Sequence, residues 1–342
     1  MEDYIFHFTF TSRMNNDCKR LDNSVKYIIK TQHDEQTTYF VGGRTMSTNK
    51  DLPTYKRQRL LLAIADKLDE PASATDFQKL MFLFMMQYKR TDYEFVPYHY
   101  GPYSFQLAED VAVLRKNGFL SDVTHRITLS RDLDLDGEIE TDYSIPKERG
   151  DALMRRTYSA YPYYTINSEI LNRLFGNKQK ELQKLLDERE RYKQDDEVLF
   201  TIGYEGRSLE AFVNTLIEND VRVLCDVRKN TYSRKFGFSR EKLEQVMQGM
   251  KGIPIKYISI SALGIESEKR KNLSGIEDYT SLFSDYEKTL PKLTKELDKL
   301  YRIIKAESRV ALMCFEKDPQ MCHRHVIRDY MCSKYTIRSA DL

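Results

Sequence analysis

The stretch VLFTIGYEGRSLEAFVNTLIENDVRVLCDVR, residues 198–228, decides the fold of the C-terminal part of the chain. It opens with an apolar run of the length typical of a buried strand, and EGRS then forms a tight turn. After the turn, apolar residues recur on one helical face at Leu209, Phe212, Val213, Leu216 and Ile217. VRVLCDVR is a second apolar run. A strand, a helix and a strand in this order predict a β-α-β unit with parallel strands.

The alternation of strands and helices continues to the last residues of the chain. Further strands are predicted in IPIKYISISALG (253–264), RVALMCFE (309–316) and YTIRSA (335–340). Helices are predicted over SREKLEQVMQGM (239–250), through YRIIKAES (301–308) and over CHRHVIRDYMCSK (322–334). Residues 198–342 are therefore predicted to fold as a Rossmann-like α/β domain, with a parallel sheet and helices on both faces.

Polar, reactive and glycine residues follow the predicted strands where each one ends. In an open parallel sheet the ligand crevice lies outside these carboxyl ends, so the residues there are the candidate site. The predicted catalytic residues are Asp226, Arg228, Cys314, Glu316, Cys322 and His323. The predicted substrate-binding residues are Gly203, Tyr204, Gly206, Arg207, Ser233, Arg234, Gly264 and Arg324.

Most of these residues have two interpretations. Gly203 and Gly206 either allow a tight turn or free the backbone amides to hold an anion such as phosphate. Asp226 either fixes a loop or, kept ionised by Arg228, orients a hydroxyl or a histidine. The basic run RKNTYSRKFGFSREK (228–242) is either a solvated face or a cover for a nucleotide, with Phe236 and Phe238 stacking on a base.

The segment CFEKDPQMCHR, residues 314–324, has three interpretations. Cys322 at a helix N-terminus is a nucleophilic or redox thiol assisted by His323, because the helix dipole favours the thiolate. Alternatively, Cys314, Cys322 and His323, with His325 as a further candidate, bind a metal, although the spacing matches no common zinc pattern. In the third interpretation Arg324 holds a phosphate and the cysteines only pack.

Four ordered motifs resemble the domain-of-unknown-function 488 family: TIGYEGRSLEAF, LCDVRKNTYSRKFGFSREKL, ISALG and LMCFEKDPQMCHRHVI. The resemblance covers about residues 198–338. It places the family's shared positions on Gly203, Arg207, Asp226, Arg228, Ser233, Gly264, Cys314, Glu316, Cys322, His323 and Arg324. In this chain ESEKRKNLSG (266–275) replaces a longer stretch that is common in the family, which puts any substrate contact made there in doubt. The resemblance implies a prokaryotic or phage-related protein and no defined reaction.

The N-terminal half is predicted to be mainly helical. Three amphipathic helices between residues 55 and 120, followed by a strand in THRITLS (124–130), are the ingredients of a winged helix over residues 51–176. FVPYHYGPYSFQL and neighbouring segments resemble the helix-turn-helix-type region attached to some members of the family. Residues 1–50 are predicted to be a small strand-containing unit, and the charged residues 177–197 a helical linker.

Composition limits the classes of function. The 342 residues are 31% charged with a formal net charge of +2, which argues against a protein that coats nucleic acid along its whole surface. No apolar run is long enough to span a membrane, and MEDYIFHF lacks the features of a signal peptide, so a cytoplasmic protein without a membrane partner is expected. Five cysteines without regular spacing predict free thiols.

The favoured hypothesis is an enzyme that acts on nucleic acid or a nucleotide, by base or nucleoside modification or by glycosidic cleavage. Defence against mobile DNA is one setting for such chemistry. Two alternatives are open: a ligand- or redox-responsive DNA-binding regulator without catalysis, and a protein-interaction module that uses the aromatic segment YEFVPYHYGPYSF (93–105). A protein partner or a second copy of the chain is compatible with all three, and no cofactor is assigned.

Overall fold

In the computed structural model, the described residues are 52–121, 123, 126–140, 143–271, 273 and 275–342. Before them, only the backbone of three short strands is described: β1 (Lys26–Ile28), β2 (Tyr39–Val41) and β3 (Arg44–Met46). These strands pair antiparallel in chain order. The rest of the unit predicted over residues 1–50 lies outside the described residues.

Residues 52–190 are mainly helical, and a β-hairpin interrupts the helices. The elements are α1 (Lys56–Asp66), α2 (Ala74–Tyr88), β4 (Val96–Tyr98), β5 (Gly101–Tyr103), α3 (Phe105–Lys116), α4 (Gly150–Ala160), α5 (Leu171–Phe175) and α6 (Gln179–Glu190). The helix predicted in the charged segment 177–197 is α6. Its thin apolar stripe is buried, because Leu182 and Leu185 share a cluster with Tyr158 and Phe175.

The β-structure of this half differs from the prediction. Instead of a strand over residues 124–130, the described residues there form only single bridges, Leu120 with Leu129 and Ala72 with Ile127. The hairpin lies between α2 and α3, and the predicted non-helical segment 93–103 contains it. Val96 belongs to the core of the C-terminal half, which gives the hairpin an apolar cover, whereas Leu133, Leu135 and Ile139 pack against the core of the N-terminal half. The winged-helix interpretation of residues 51–176 stays a prediction.

The C-terminal half has the predicted parallel sheet with helices on both faces. Its elements are β6 (Val198–Gly203), α7 (Leu209–Glu218), β7 (Val223–Asp226), α8 (Arg240–Gln248), β8 (Lys256–Ser259), α9 (Ile276–Glu287), α10 (Thr294–Glu307), β9 (Arg309–Cys314), α11 (Arg324–Tyr335) and β10 (Ser339–Asp341). The strand order is β10-β6-β9-β7-β8, with every neighbouring pair parallel. The helices α7 and α8 cover one face, and α9, α10 and α11 cover the other.

Alternation along the strands explains why both faces are covered. Phe200 and Ile202 of β6 pack on the side of α7 and α8, whereas Leu199 packs on the side of α10 and α11. In β9, Ala311 packs on the side of α7 and α8, and Leu312 packs on the side of α10 and α11. A strand that is apolar on both sides can be buried only between two layers of helices, as the sequence pattern predicts.

Two buried polar side chains join the N-terminal and C-terminal halves. The Asn167 carbonyl oxygen accepts hydrogen bonds from the N–H groups of Gly252 and Ile253 at 2.9 and 2.8 Å, and its amide donates to the Pro97 carbonyl at 3.1 Å. Glu210 of α7 accepts the N–H of Gln106 at 2.9 Å, near the start of α3. The halves therefore share a continuous and partly polar core.

A buried lysine is a further property of the N-terminal half. Lys79 of α2 is only 2% exposed, and its ammonium donates to the Pro102 carbonyl at 3.2 Å. Burial lowers the pKa of Lys79 from 10.5 to about 7, and the nearby Asp76 opposes this shift only in part. Between these pH values the unfolded chain binds a proton that the folded chain does not.

This difference predicts a pH-dependent stability. The free energy of unfolding should rise with pH between about 7 and 10.5, by at most about 1.4 kcal/mol per pH unit. Below pH 7 Lys79 is protonated in both the folded and the unfolded chain, so it should add no pH dependence there. Lys79→Met should remove the slope and increase stability near pH 7. Urea unfolding at several pH values measures both effects, with the exposed Lys180→Met as control. An unchanged slope in Lys79→Met would contradict the assignment.

Candidate functional site

Three neighbouring strands bring the predicted site residues together. The central strand β9 ends at Cys314, which is in register with Gly203 at the end of β6, and Asp226 ends β7 on the other side. The chain leaves β6 and β7 toward α7 and α8 on one face, but it leaves β9 toward α11 on the opposite face. The loops therefore diverge on both sides of β9, which is the position where ligands of such sheets bind.

Asp226 and Arg228 form a closed, buried ion pair. The Asp226 carboxylate accepts from Arg228 Nε at 2.9 Å and Nη2 at 2.7 Å, and also from the Tyr257 hydroxyl at 2.6 Å. Arg228 Nη1 donates to the Tyr204 hydroxyl and the Phe238 carbonyl, both at 2.9 Å, and Nη2 donates to the Thr231 carbonyl at 3.3 Å. All five guanidinium N–H groups thus have partners within the protein.

The ion pair has consequences for charge and position. Burial lowers the pKa of Arg228, but the hydrogen bonds and the charge of Asp226 outweigh it and raise the pKa above its ordinary value. Burial and Asp226 together raise the pKa of Tyr257. Asp226 and Arg228 therefore fix the loop 229–239 over the strand ends. Tyr257, which the sequence analysis missed, completes this network from the edge strand β8.

Cys314, Cys322 and His323 form a compact buried cluster. Cys314 ends β9 and Cys322 lies two residues before α11, and each Sγ lies 3.8 Å from Nδ1 of His323. The other ring nitrogen, Nε2, lies 3.0 Å from the Val227 carbonyl oxygen. Because a carbonyl can only accept, Nε2 carries the proton and donates it. The opposite ring nitrogen, Nδ1, therefore faces both sulfur atoms.

Charge in the cluster is shared unequally. The hydrogen bond that Cys314 donates to Cys322, together with burial, raises the pKa of Cys314 well above its ordinary value. Burial also raises the pKa of Cys322, but its hydrogen bonds with Cys314 and His323 outweigh this and lower it well below. A thiolate is therefore favoured on Cys322, whereas Cys314 keeps its proton. Burial disfavours the charged form of His323, but the Cys322 thiolate raises its pKa overall.

Glu316 adds a carboxyl group to this cluster. Its Oε2 lies 3.4 Å from Cys314 Sγ, and Oε1 lies 3.5 Å from the Arg270 guanidinium. Burial and the charge of Cys322 raise the pKa of Glu316 to about 7. His325, a candidate ligand in one of the sequence interpretations, lies apart from the cluster, with Nδ1 2.7 Å from the Cys322 carbonyl and its ring against Phe283.

The loop after β6 is tightly joined to the loop after β9. A side chain at Gly203 would collide with the Glu316 carbonyl, because its Cβ would lie 1.8 Å from that oxygen. The N–H of Glu205 donates to the Phe315 carbonyl at 2.8 Å, and the N–H of Arg207 donates to the Tyr204 carbonyl at 3.3 Å. Gly206 adopts a left-handed φ of 73°. These amides are bonded within the protein, as the tight-turn interpretation predicts.

The remaining predicted binding residues have different surroundings. Arg324 is 1% exposed and donates to Thr201 Oγ1 and to the carbonyls of Glu316 and Lys317 at 2.6–3.1 Å, so its guanidinium holds the loop after β9. Ser233 accepts from the Tyr204 hydroxyl at 3.4 Å. A Cβ at Gly264 would lie 2.2 Å from Lys229 N, so a close approach of two loops requires glycine there. Burial and the charge of Arg324 lower the pKa of Arg207. Arg234 is exposed.

Phe238, for which stacking on a base was one interpretation, is instead part of the core. Phe238 is fully buried, stacks on Tyr204 at a centroid distance of 4.3 Å and packs edge-on against Phe212. Phe236 also packs against this core. The aromatic rings exposed at this edge of the sheet are Tyr232 and Phe315, at 71% and 41%. Alternation after a strand could have indicated Phe315, because its neighbours Cys314 and Glu316 both face the cluster.

Residues 208–331 match a family model described as Domain of unknown function DUF488. The match extends from the cap of α7 into α11, so it contains Asp226, Arg228 and the Cys314, Cys322 and His323 cluster. It does not extend to residues 1–207, where the resemblance to a helix-turn-helix-type region stays a prediction. Neither curated proteins nor solved structures gave a match. Among the described residues, no helix is both long and apolar enough to cross a membrane.

The closed ion pair predicts a large cost for removing its negative charge. Asp226→Asn should lower the free energy of unfolding by about 3–5 kcal/mol, because it leaves the Arg228 charge buried without a partner. The surface pair of Asp285 with Lys288 provides the control, since Asp285→Asn should leave stability unchanged within error. Chemical denaturation monitored by circular dichroism compares the two. An Asp226→Asn protein as stable as the control would contradict the structural role of the pair.

Proposed function

We propose that the C-terminal half acts as an enzyme on nucleic acid or a nucleotide, at the edge of the sheet where β6, β7 and β9 end. The observation that carries the proposal is the position of Phe315. Its ring is 41% exposed, and the residues on either side of it belong to the buried cluster of thiols, imidazole and carboxyl. A base stacked on this ring would lie at the strand end that also carries these reactive groups.

The surroundings of Phe315 suit a phosphate-bearing ligand. The ring packs edge-on against Tyr204 at 5.3 Å, and the Lys235 ammonium donates to the Tyr204 carbonyl at 2.7 Å. A cation and an exposed ring are therefore neighbours, which is the combination that single-stranded nucleic acid and nucleotides require. Tyr232 adds a second exposed ring on the loop that Arg228 fixes.

The charge of this edge supports the same ligand class. Lys229 pairs with Glu266, and Arg270 pairs with Glu316. Arg234 and Lys317 have no carboxylate partner among the described residues, so they are available for phosphate groups. This basic edge is local, which agrees with a net charge of only +2 for the chain.

The reaction class that fits these groups is modification of a base or nucleoside, or cleavage of a glycosidic bond. These reactions need a group that attacks or activates, together with a proton donor or acceptor, within reach of the base. Cys322, His323 and Glu316 supply such groups. Asp226, Arg228 and Arg324 act as positioning residues, because their polar atoms are already bonded within the protein.

Binding of a short single-stranded oligonucleotide tests the recognition surface. Phe315→Ala should weaken binding roughly tenfold, since stacking contributes about 1–3 kcal/mol per base. Arg234→Ala should weaken binding less than Phe315→Ala does. It should reduce the slope of log K against log salt by the amount expected for about one phosphate contact. The exposed Tyr55→Ala, in the N-terminal half, is the control. Fluorescence anisotropy at several salt concentrations measures all three variants.

Turnover is tested on the same oligonucleotide and on a mixture of nucleotides by mass spectrometry. The wild-type protein should convert part of the substrate into a modified base or nucleoside, or into a free base and sugar, which mass spectrometry detects. Cys322→Ala should form no such product while it retains oligonucleotide binding. Binding that Phe315→Ala leaves unchanged would contradict the proposed surface. Salt-dependent binding to duplex DNA with no product from any substrate would instead favour the regulator hypothesis.

A further inference from the structure

We propose that Cys314, Cys322 and His323 bind a zinc ion through their two sulfur atoms and Nδ1. The use of this ion in catalysis rests on the function proposed above, whereas its binding rests on the cluster alone. The three ligand atoms lie within 4.8 Å of one another, and all three residues are buried. No other group of this kind occurs among the described residues.

The distances fit a shared tetrahedral ion. With Zn–S of about 2.3 Å and Zn–N of about 2.0–2.1 Å, a tetrahedral centre places S and N about 3.6 Å apart. Both sulfurs lie 3.8 Å from Nδ1, so only a small contraction would bring all three atoms onto one ion. A direct hydrogen bond explains the arrangement less well, because a single Nδ1 lies at the same distance from two sulfurs.

The histidine is held in the form that a metal requires. Nε2–H donates to the Val227 carbonyl at 3.0 Å, which directs Nδ1 at the sulfurs, and a bound metal would take the place of any proton there. Metal-bound histidines are oriented in this way by a carbonyl or carboxylate on the other ring nitrogen. Val227 is itself fixed, because its N–H donates to the Met313 carbonyl at 3.2 Å and its neighbours Asp226 and Arg228 form the buried pair.

The set of donors favours zinc over harder cations. Two thiolates and an imidazole are soft or borderline ligands, which calcium and magnesium do not prefer. Glu316 lies beside these ligands, since its Oε2 lies 3.4 Å from Cys314 Sγ and its other oxygen contacts Arg270 nearer the surface. Three protein ligands with an open fourth position correspond to a catalytic zinc site more than to a closed structural one.

Metal content of the full-length protein tests the site without any substrate. Protein purified with a reductant and without chelators should contain one zinc per chain by mass spectrometry of the metal. Cys322→Ala and His323→Ala should each lose most of it. Cys332→Ala and His325→Ala are matched controls, because they remove the same residue types from the same helix region outside the cluster, and both should keep the zinc.

Cobalt binding to the wild-type protein tests the site even if the variants fail to fold. Co²⁺ added to the metal-free, reduced wild-type protein should give a thiolate-to-cobalt charge-transfer band that zinc abolishes. Absence of both zinc and this band, or full zinc content in Cys322→Ala, would overturn the proposal. A Cys314–Cys322 disulfide that forms readily in the presence of zinc would overturn it as well, because metal-bound thiolates resist oxidation.

The two proposals fail in distinguishable ways. One zinc per chain with no oligonucleotide binding would sustain the metal site and reject the nucleic-acid function. Oligonucleotide binding and turnover that persist after complete removal of metal, in a protein that gives no cobalt band, would sustain the function and reject the metal site.

Discussion

The buried ion pair of Asp226 and Arg228 is the constraint on which the rest of the site depends. Both residues are bonded entirely within the protein, and together they fix the end of β7 and the loop that follows it. The residue between them, Val227, presents the carbonyl that orients His323. A disturbance of the pair would therefore reach the two thiols through the Val227 carbonyl and the ring of His323. Burying an ion pair costs desolvation energy. Here the pair holds the end of β7 and the following loop in position.

The site thus separates into three kinds of residue. Asp226, Arg228 and Arg324 hold loops in place. Cys314, Cys322 and His323 are buried, and in the proposed function they supply the reactive groups or hold a metal. Phe315 and the basic side chains near it lie outside and are available to a ligand. This division explains why the residue types found at the strand ends are reactive while most of their polar atoms already have partners.

Much of this arrangement could be predicted from the sequence. Apolar runs and helical spacing predicted the sheet of the C-terminal half, and the rule that ligands bind at strand carboxyl ends led to Cys314, Cys322 and His323. The partners of each side chain could not be predicted, because they depend on the strand order: β9 lies between β6 and β7, which sequence adjacency does not reveal. For the same reason the contacts of Phe238 and Tyr257 could not be predicted from their local sequence. In the N-terminal half single bridges replace the strand predicted over residues 124–130, and the hairpin lies earlier in the chain, where part of its cover comes from the C-terminal half.

Anomalous diffraction from crystals of the reduced protein, at wavelengths just above and below the zinc absorption edge, tests the metal centre most directly. A bound zinc ion should give a peak above the edge alone, about 2.3 Å from the sulfur atoms of Cys314 and Cys322 and about 2.0–2.1 Å from Nδ1 of His323. Crystals grown with zinc in the medium that show no such peak, and in which Nδ1 of His323 contacts only the two thiols, would contradict the proposed metal centre.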